Sequence, residues 1–339
     1  ICPGPGLVTA ALGYAPAIVF VLAMAAGMAL LLSRPGETLA ALRREWLVVL
    51  MALWCLMSFA WSDYPSLTLR YGIQLCLTVA IAVAMAYRLA PMTFVKILFV
   101  VSSLAGLASL ASGRGRPDGM GYLGIYASKN ALANASALLV IVALALLLDR
   151  RLPARWRLPA LGSLLMGTML LVMGKSSGAL VSTLGVVLAF GAIVLLQRLT
   201  PHVRLVAVAM AVVLATALGI ILSFFAAELS QMFLDLTGKD VTLTGRTDLW
   251  AVAFQEIAER PVLGTGFQAF WVQGNPLAEQ LWAMFGIGSR AGFHFHNTLI
   301  SNMVEIGLVG GMLQAVIFFA ALVSSLTWAI RSPSAASVF

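Results

Sequence analysis

The sequence predicts an all-α polytopic membrane protein: a transmembrane helix bundle with one long extracytoplasmic loop. Three observations carry that prediction. Of 339 residues, 61% are hydrophobic and only 10% charged, a balance too apolar for a soluble globular domain. The mean hydropathy of +0.98 reflects repeated apolar runs, each about 20 residues long and so able to cross a bilayer. The polar residues gather in short links and in a single long segment, 228–297.

Taken in order, span one covers about Tyr14 to Leu32, and a link with Arg34, Arg43 and Arg44 follows. Span two runs from Trp46 to Trp61, a Trp anchoring each end at the interface. The turn Ser62–Ser66 leads to span three, Leu67 to Tyr87, and span four covers Thr93 to Ser112. A glycine-rich loop, Gly113 to Asn130, precedes span five, Ala131 to Leu148. The basic link 149–157 leads to span six, Leu158 to Met173. Gly174–Gly178 is a tight turn before span seven, Ala179 to Leu196, and span eight is Leu205 to Ala227. The expected organisation is therefore a bundle of about eight spans over 1–227, a loop over 228–297, and the last span or spans over 298–339. Gly307, Gly310 and Gly311 are placed to kink or divide that last run. The chain opens on Ile, not Met, and missing natural ends are expected.

The net charge of +8 would suggest nucleic acid as the partner of a soluble protein. Here most Arg and Lys residues sit in alternate short links, where the positive-inside rule explains them, so no nucleic acid is implied. The other set of connections then faces outward. It still holds Arg70, Arg114, Arg116, Lys129, Lys175, Lys239, Arg246, Arg260 and Arg290. Any one of these could simply snorkel to the interface. As a group on one membrane face they suit an anionic substrate such as a diphosphate headgroup. A flippase for such a lipid, the reading from another functional class, predicts charges strung through the bilayer instead. Cys2, Cys55 and Cys76 have no metal-ligand spacing and imply no disulfide framework.

In the long segment, Leu249, Trp250, Ala253, Phe254 and Ile257 share one face of a helix that opens at Arg246 and stops at Pro261. Its amphipathic pattern suits the membrane surface. Arg246 stands where free N–H groups also favour an anion. Leu263–Phe267 reads as a tight turn, because no strand precedes it as a nucleotide-binding loop would need. His294 and His296 are too few for a metal without a third ligand. A neutral His at the mouth of the last span can instead accept a proton from an attacking hydroxyl. Glu305 lies about two turns beyond His296, and a salt bridge to an arginine is its expected role.

The stretches SKNALA (Ser128–Ala133), GKSSGAL (Gly174–Leu180), GRTDLW (Gly245–Trp250), RPVLGTGFQAFW (Arg260–Trp271) and HFHNTLISNMVEIGLVG (His294–Gly310) occur in that order. Together they resemble the O-antigen ligase and polysaccharide polymerase superfamily, in its exopolysaccharide polymerase-like branch. The resemblance implies a GT-C-like bundle and an inverting glycosyltransferase that needs neither metal nor cofactor. It implies a donor glycan on undecaprenyl diphosphate, used at the periplasmic face of the bacterial inner membrane among membrane lipids. A lipid-linked repeat would be the acceptor, with a flippase and a chain-length regulator as partners. A ligase acting on a lipid A core or a protein is the alternative. By this resemblance Arg246 and His296 are the catalytic residues. Arg70, Lys129, Lys175, Arg290, His294 and Asn297 are the expected substrate-binding residues. Lys175 stands in K-S-S-G where ligases show an Arg in S-R-G, and the Lys of SKNALA fits the polymerase-like members better.

Overall fold

A computed structural model describes residues 24–117, 119, 121–149, 152–225, 245–290 and 293–331. The expectations for Tyr14 to Ala23, Arg150, Arg151, Lys239, the loop segment 228–244 and the end of the chain, 332–339, lie outside the described residues. The described residues are helical, apart from turns and one isolated bridge between Gly115 and Tyr122. In chain order the helices are α1 (Met24–Ser33), α2 (Pro35–Arg44), α3 (Trp46–Met57), α4 (Pro65–Arg88), α5 (Pro91–Ser112) and α6 (Lys129–Leu148). They continue with α7 (Ala154–Met173), α8 (Ser177–Leu196), α9 (Pro201–Phe224), α10 (Arg246–Glu259), α11 (Pro276–Met284) and α12 (Thr298–Arg331). Prolines open α2, α5, α9 and α11 at positions where a missing N–H costs nothing. The Ser128 hydroxyl accepts from the Ala131 N–H and starts α6.

Among the described residues, seven helices are long and apolar enough to cross a membrane: α4 to α9 and α12. The protein is an all-α polytopic membrane protein, as its composition predicts.

The chain forms two compact units that do not follow chain order. The second comprises 89–226 and 321–339. Its centre is α6, where Ala133, Ser136, Leu139, Ala143 and Leu146 are buried and α7 packs alongside. Small residues at such a contact let helix backbones approach in lipid. In the same unit Arg204 donates to the carbonyls of Leu196 (3.0 Å) and Ile330 (2.7 Å), closing the exposed ends of two helices.

The first unit comprises 1–88 and 227–320. Here α3 and α4 pack together, and Arg88 binds the Thr38 hydroxyl (2.7 Å) and the Arg34 carbonyl (3.0 Å) at the start of α2. The organising feature is a break inside α12 at Ile306 and Gly307. The turn Leu263–Phe267 is docked into this break. Thr265 N–H donates to Val304 O (3.0 Å), Gly266 N–H to Glu305 O (2.7 Å), and Leu308 N–H back to Pro261 O (2.8 Å). The α3–α4 junction holds the turn from its other side. Phe267 N–H donates to Ser58 Oγ (2.9 Å), Thr68 Oγ1 to Phe267 O (2.9 Å), and Trp61 Nε1 to Leu263 O (2.9 Å). Arg260 pairs with Asp63 at 2.7 Å beside it. The glycines make the fit possible. Gly307 has φ +69, and a Cβ there would collide with the Val262 carbonyl; one on Gly266 would collide with Ser62.

Gly307→Ala therefore needs a left-handed residue and displacement of backbone, and should cost at least about 2 kcal/mol. Gly185, on α8, has nothing within 4 Å of the point where a Cβ would stand, and Gly185→Ala should instead stabilise by up to about 1 kcal/mol. Unfolding in detergent, followed by circular dichroism, checks both; equal effects would deny the docked turn its structural role.

Candidate functional site

The site is built in the first unit from α10, the start of α12 and the chain between them. Helix α10 begins at Arg246 after Gly245, whose φ of +80 turns the chain into the helix. Leu249 and Ala253, one turn apart, are buried against Phe270, Trp282 and Phe295. The apolar face of α10 is thus covered largely by protein. The aromatic residues of the loop make a core of their own: Phe270 lies 4.9 Å from Phe295 and 5.0 Å from Trp271, ring centre to ring centre.

Phe295 is fully buried, and Trp250 Nε1 donates to its carbonyl at 2.8 Å. This fixes the backbone between the two histidines, which border a cavity with ring centres 4.4 Å apart. His294 Nδ1 accepts from the His296 N–H at 3.1 Å, so the remaining ring nitrogen carries the proton when His294 is neutral. Asn297 caps α12: its Oδ1 accepts from the N–H groups of Leu299 (3.0 Å) and Ile300 (3.2 Å).

The cavity has a volume of about 550 Å³. Arg246, His294, His296 and Asn297 line it together with Trp271, Phe293 and Gln268. Along α12 the lining residues are Thr298, Ser301, Asn302 and Glu305, one polar stripe at helical spacing. Glu305 is buried, and its Oε2 accepts from the Gln268 N–H at 2.9 Å. Among the described residues no ion pair joins it, so the expected salt bridge is replaced by a backbone hydrogen bond.

Gln268 (φ +58) and His296 (φ +54) both adopt left-handed backbone although neither is glycine. Such residues cost about 1–3 kcal/mol each and persist only where the surroundings over-determine them. Partial burial, then His294, then the Arg246 guanidinium push His296 down from the usual 6.5 to about 4. Its imidazole is therefore neutral at neutral pH. Among the described residues no cluster of three or more His, Cys, Asp or Glu is placed to hold a metal.

Of the residues singled out in the sequence, Arg246, His294, His296 and Asn297 share this cavity. Arg290 is engaged by Glu279, Nε to Oε2 3.2 Å. Arg70 lies over the Tyr71 ring at 5.7 Å and is not among the lining residues. Lys129 and Lys175 belong to the second unit, where Lys129 opens α6 beside Gly121 and Lys175 Nζ donates to the Gly119 carbonyl at 3.2 Å. Sequence reasoning missed Gln268 and the stripe Thr298, Ser301 and Asn302. The stripe had a signal, polar residues at i, i+3, i+4 and i+7 in an apolar span. Gln268 had none, because only the docked turn brings it there.

Residues 161–315 match the family model described as O-antigen ligase. The chain is also 32% identical over 295 residues to the exopolysaccharide production protein ExoQ of Rhizobium meliloti. That alignment covers 83% of this chain and 65% of the relative, so the chain spans just under two thirds of that protein's length. The helical membrane architecture and these two matches agree in supporting an O-antigen ligase and polysaccharide polymerase-like family.

Proposed function

We propose that this protein is a membrane glycosyltransferase that polymerises oligosaccharide repeats carried on undecaprenyl diphosphate. It would act at the periplasmic face of the bacterial inner membrane. The observation that carries this reading is the meeting of Arg246, at a helix N-terminus, with His296 and Asn297 in one cavity. A guanidinium beside free helix N–H groups suits a diphosphate. The likeness to a protein named for exopolysaccharide production favours polymer formation. The family model's description favours a second reading, a ligase that moves a finished glycan to another acceptor.

In the proposed reaction a hydroxyl of the acceptor repeat attacks the anomeric carbon of the donor from the side opposite its diphosphate. The new C–O bond forms as the bond to the diphosphate oxygen breaks, with inversion, and the electron pair leaves on the diphosphate. Arg246 stabilises the charge that develops there. The hydroxyl proton passes to His296 and then to water. With partial burial, His294 and then the uncompensated guanidinium charge acting on it, His296 sits at about 4, a weak base. A diphosphate bound at Arg246 offsets that charge and raises the histidine toward the operating pH.

Arg246→Gln and His296→Asn should each lower polymer formation by at least about 100-fold, with single lipid-linked repeats accumulating. Asn tolerates the left-handed backbone of His296, so both variants should still elute as folded protein. Full-length glycan retained on its lipid would mean a ligase, and normal polymer from either variant would overturn the assignment.

The histidine charge coupling has its own test. NMR of histidine-labelled protein in nanodiscs should find His296 titrating near 4. Inorganic diphosphate should move it upward, and Arg246→Gln should do the same. A pKa near 6.5 that responds to neither would remove Arg246 from the neighbourhood of the imidazole.

A further inference from the structure

The inner end of the cavity has chemistry that the diphosphate does not need. Glu305 lies on α12 seven residues beyond Thr298, about 10 Å along the helix from the histidine end. It is the carboxylate among the lining residues, 4% exposed, and no cation pairs with it among the described residues. One of its oxygens is held by the Gln268 N–H, which sets the direction of the group. Its other oxygen retains lone pairs for a donor. Beside it stand the Gln268 amide, the Asn302 amide, whose nitrogen donates to Gln314 Oε1 at 2.8 Å, and Trp271, whose buried indole N–H has no hydrogen-bond partner among the described residues. The Trp271 ring packs edge-on to Phe293, 5.2 Å between centres, and presents an aromatic wall.

A carboxyl group this deeply buried and unpaired with a cation among the described residues offers a diphosphate no charge to bind. It exchanges hydrogen bonds with hydroxyl groups, and its second oxygen is left without a partner among the described residues when none is present. An aromatic face with a free N–H, two amides and a carboxylate together suit a neutral sugar ring. We infer that the inner end of the cavity is a sugar subsite, in which Glu305 accepts a hydrogen bond from a hydroxyl of the glycan while Trp271 and the Gln268 and Asn302 amides frame the ring. This rests on the glycosyltransferase reading for its ligand class. It divides the cavity into a cationic end for the diphosphate and an inner, hydrogen-bonding end for the uncharged glycan. The backbone bond to Gln268 gives Glu305 a structural duty as well, and the two duties separate by substitution. Gln at 305 keeps an acceptor for the Gln268 N–H and replaces the second oxygen, the one offered to the sugar, by an NH2 group that cannot accept.

The test uses the full chain in nanodiscs with two probes: the oligosaccharide repeat released from its lipid by mild acid, and inorganic diphosphate. Calorimetry and tryptophan emission read binding. Glu305→Gln should weaken the free repeat by about tenfold or more while diphosphate binds no more weakly than to the wild type. Trp271→Phe, which keeps a ring and removes the indole N–H, should also weaken the free repeat. Wild-type affinity for the repeat in Glu305→Gln overturns the subsite. So does an equal loss of both probes, which would mark Glu305 as purely structural, and so does a wild-type protein that does not bind the repeat. A wild type that binds the free repeat but builds no polymer from lipid-linked repeats overturns the glycosyltransferase reading and leaves the subsite standing.

Discussion

In an unbroken helix the Leu308 N–H would bond to the Val304 carbonyl. Here it donates to Pro261, and Val304 accepts from Thr265 instead. That exchange is the constraint on which the first unit depends. The break at Ile306 and Gly307 frees backbone groups that cannot be left bare in a hydrocarbon surrounding. The turn Leu263–Phe267 supplies their partners, and Trp54 Nε1 caps the Ile306 carbonyl at 3.0 Å. A loop segment is thereby anchored within a membrane span, where irregular backbone survives only if protein buries it. The Gln268 N–H and the Glu305 carboxylate meet as a direct result.

The same docking orders the rest of the site. With the turn fixed, Phe270 and Trp271 are carried into the aromatic core, where Phe295 packs against both and is tied to α10 by Trp250. The histidines on either side of Phe295 are then held at the cavity by a residue that has no role in the chemistry. The strained backbone at Gln268 and His296 is maintained by these surroundings. Both residues line the cavity, which is where stored strain is most often found.

Electrostatically the cavity is graded. Arg246 stands at the opening of α10, and the cap of α12 at Asn297 brings a second helix N-terminus to the same rim. Both favour negative charge. The buried carboxyl group at the inner end offers hydrogen bonds in place of charge. A ligand with an anionic end and a neutral, hydroxyl-rich end matches this gradient, and a simple inorganic anion uses only half of it.

The sequence alone determined the membrane class, the long apolar helices α4 to α9 and α12, the amphipathic helix at Arg246 and the candidate residues Arg246 and His296. The membrane class and the helices follow from composition, from the length of apolar runs and from helical periodicity, all local properties of the chain, and the two residues from their places at a helix start and a span mouth together with the family resemblance. It also marked Gly307 as a place where the last span could break. It did not reveal that the Leu263–Phe267 turn fills that break, that Glu305 bonds to a backbone amide and not to an arginine, or that Arg290 is engaged by Glu279. Each of these is a pairing between separate stretches of chain, chosen by which unsatisfied groups the folded chain brings together. Periodicity carries no information about such partners, so the tertiary structure alone decided them.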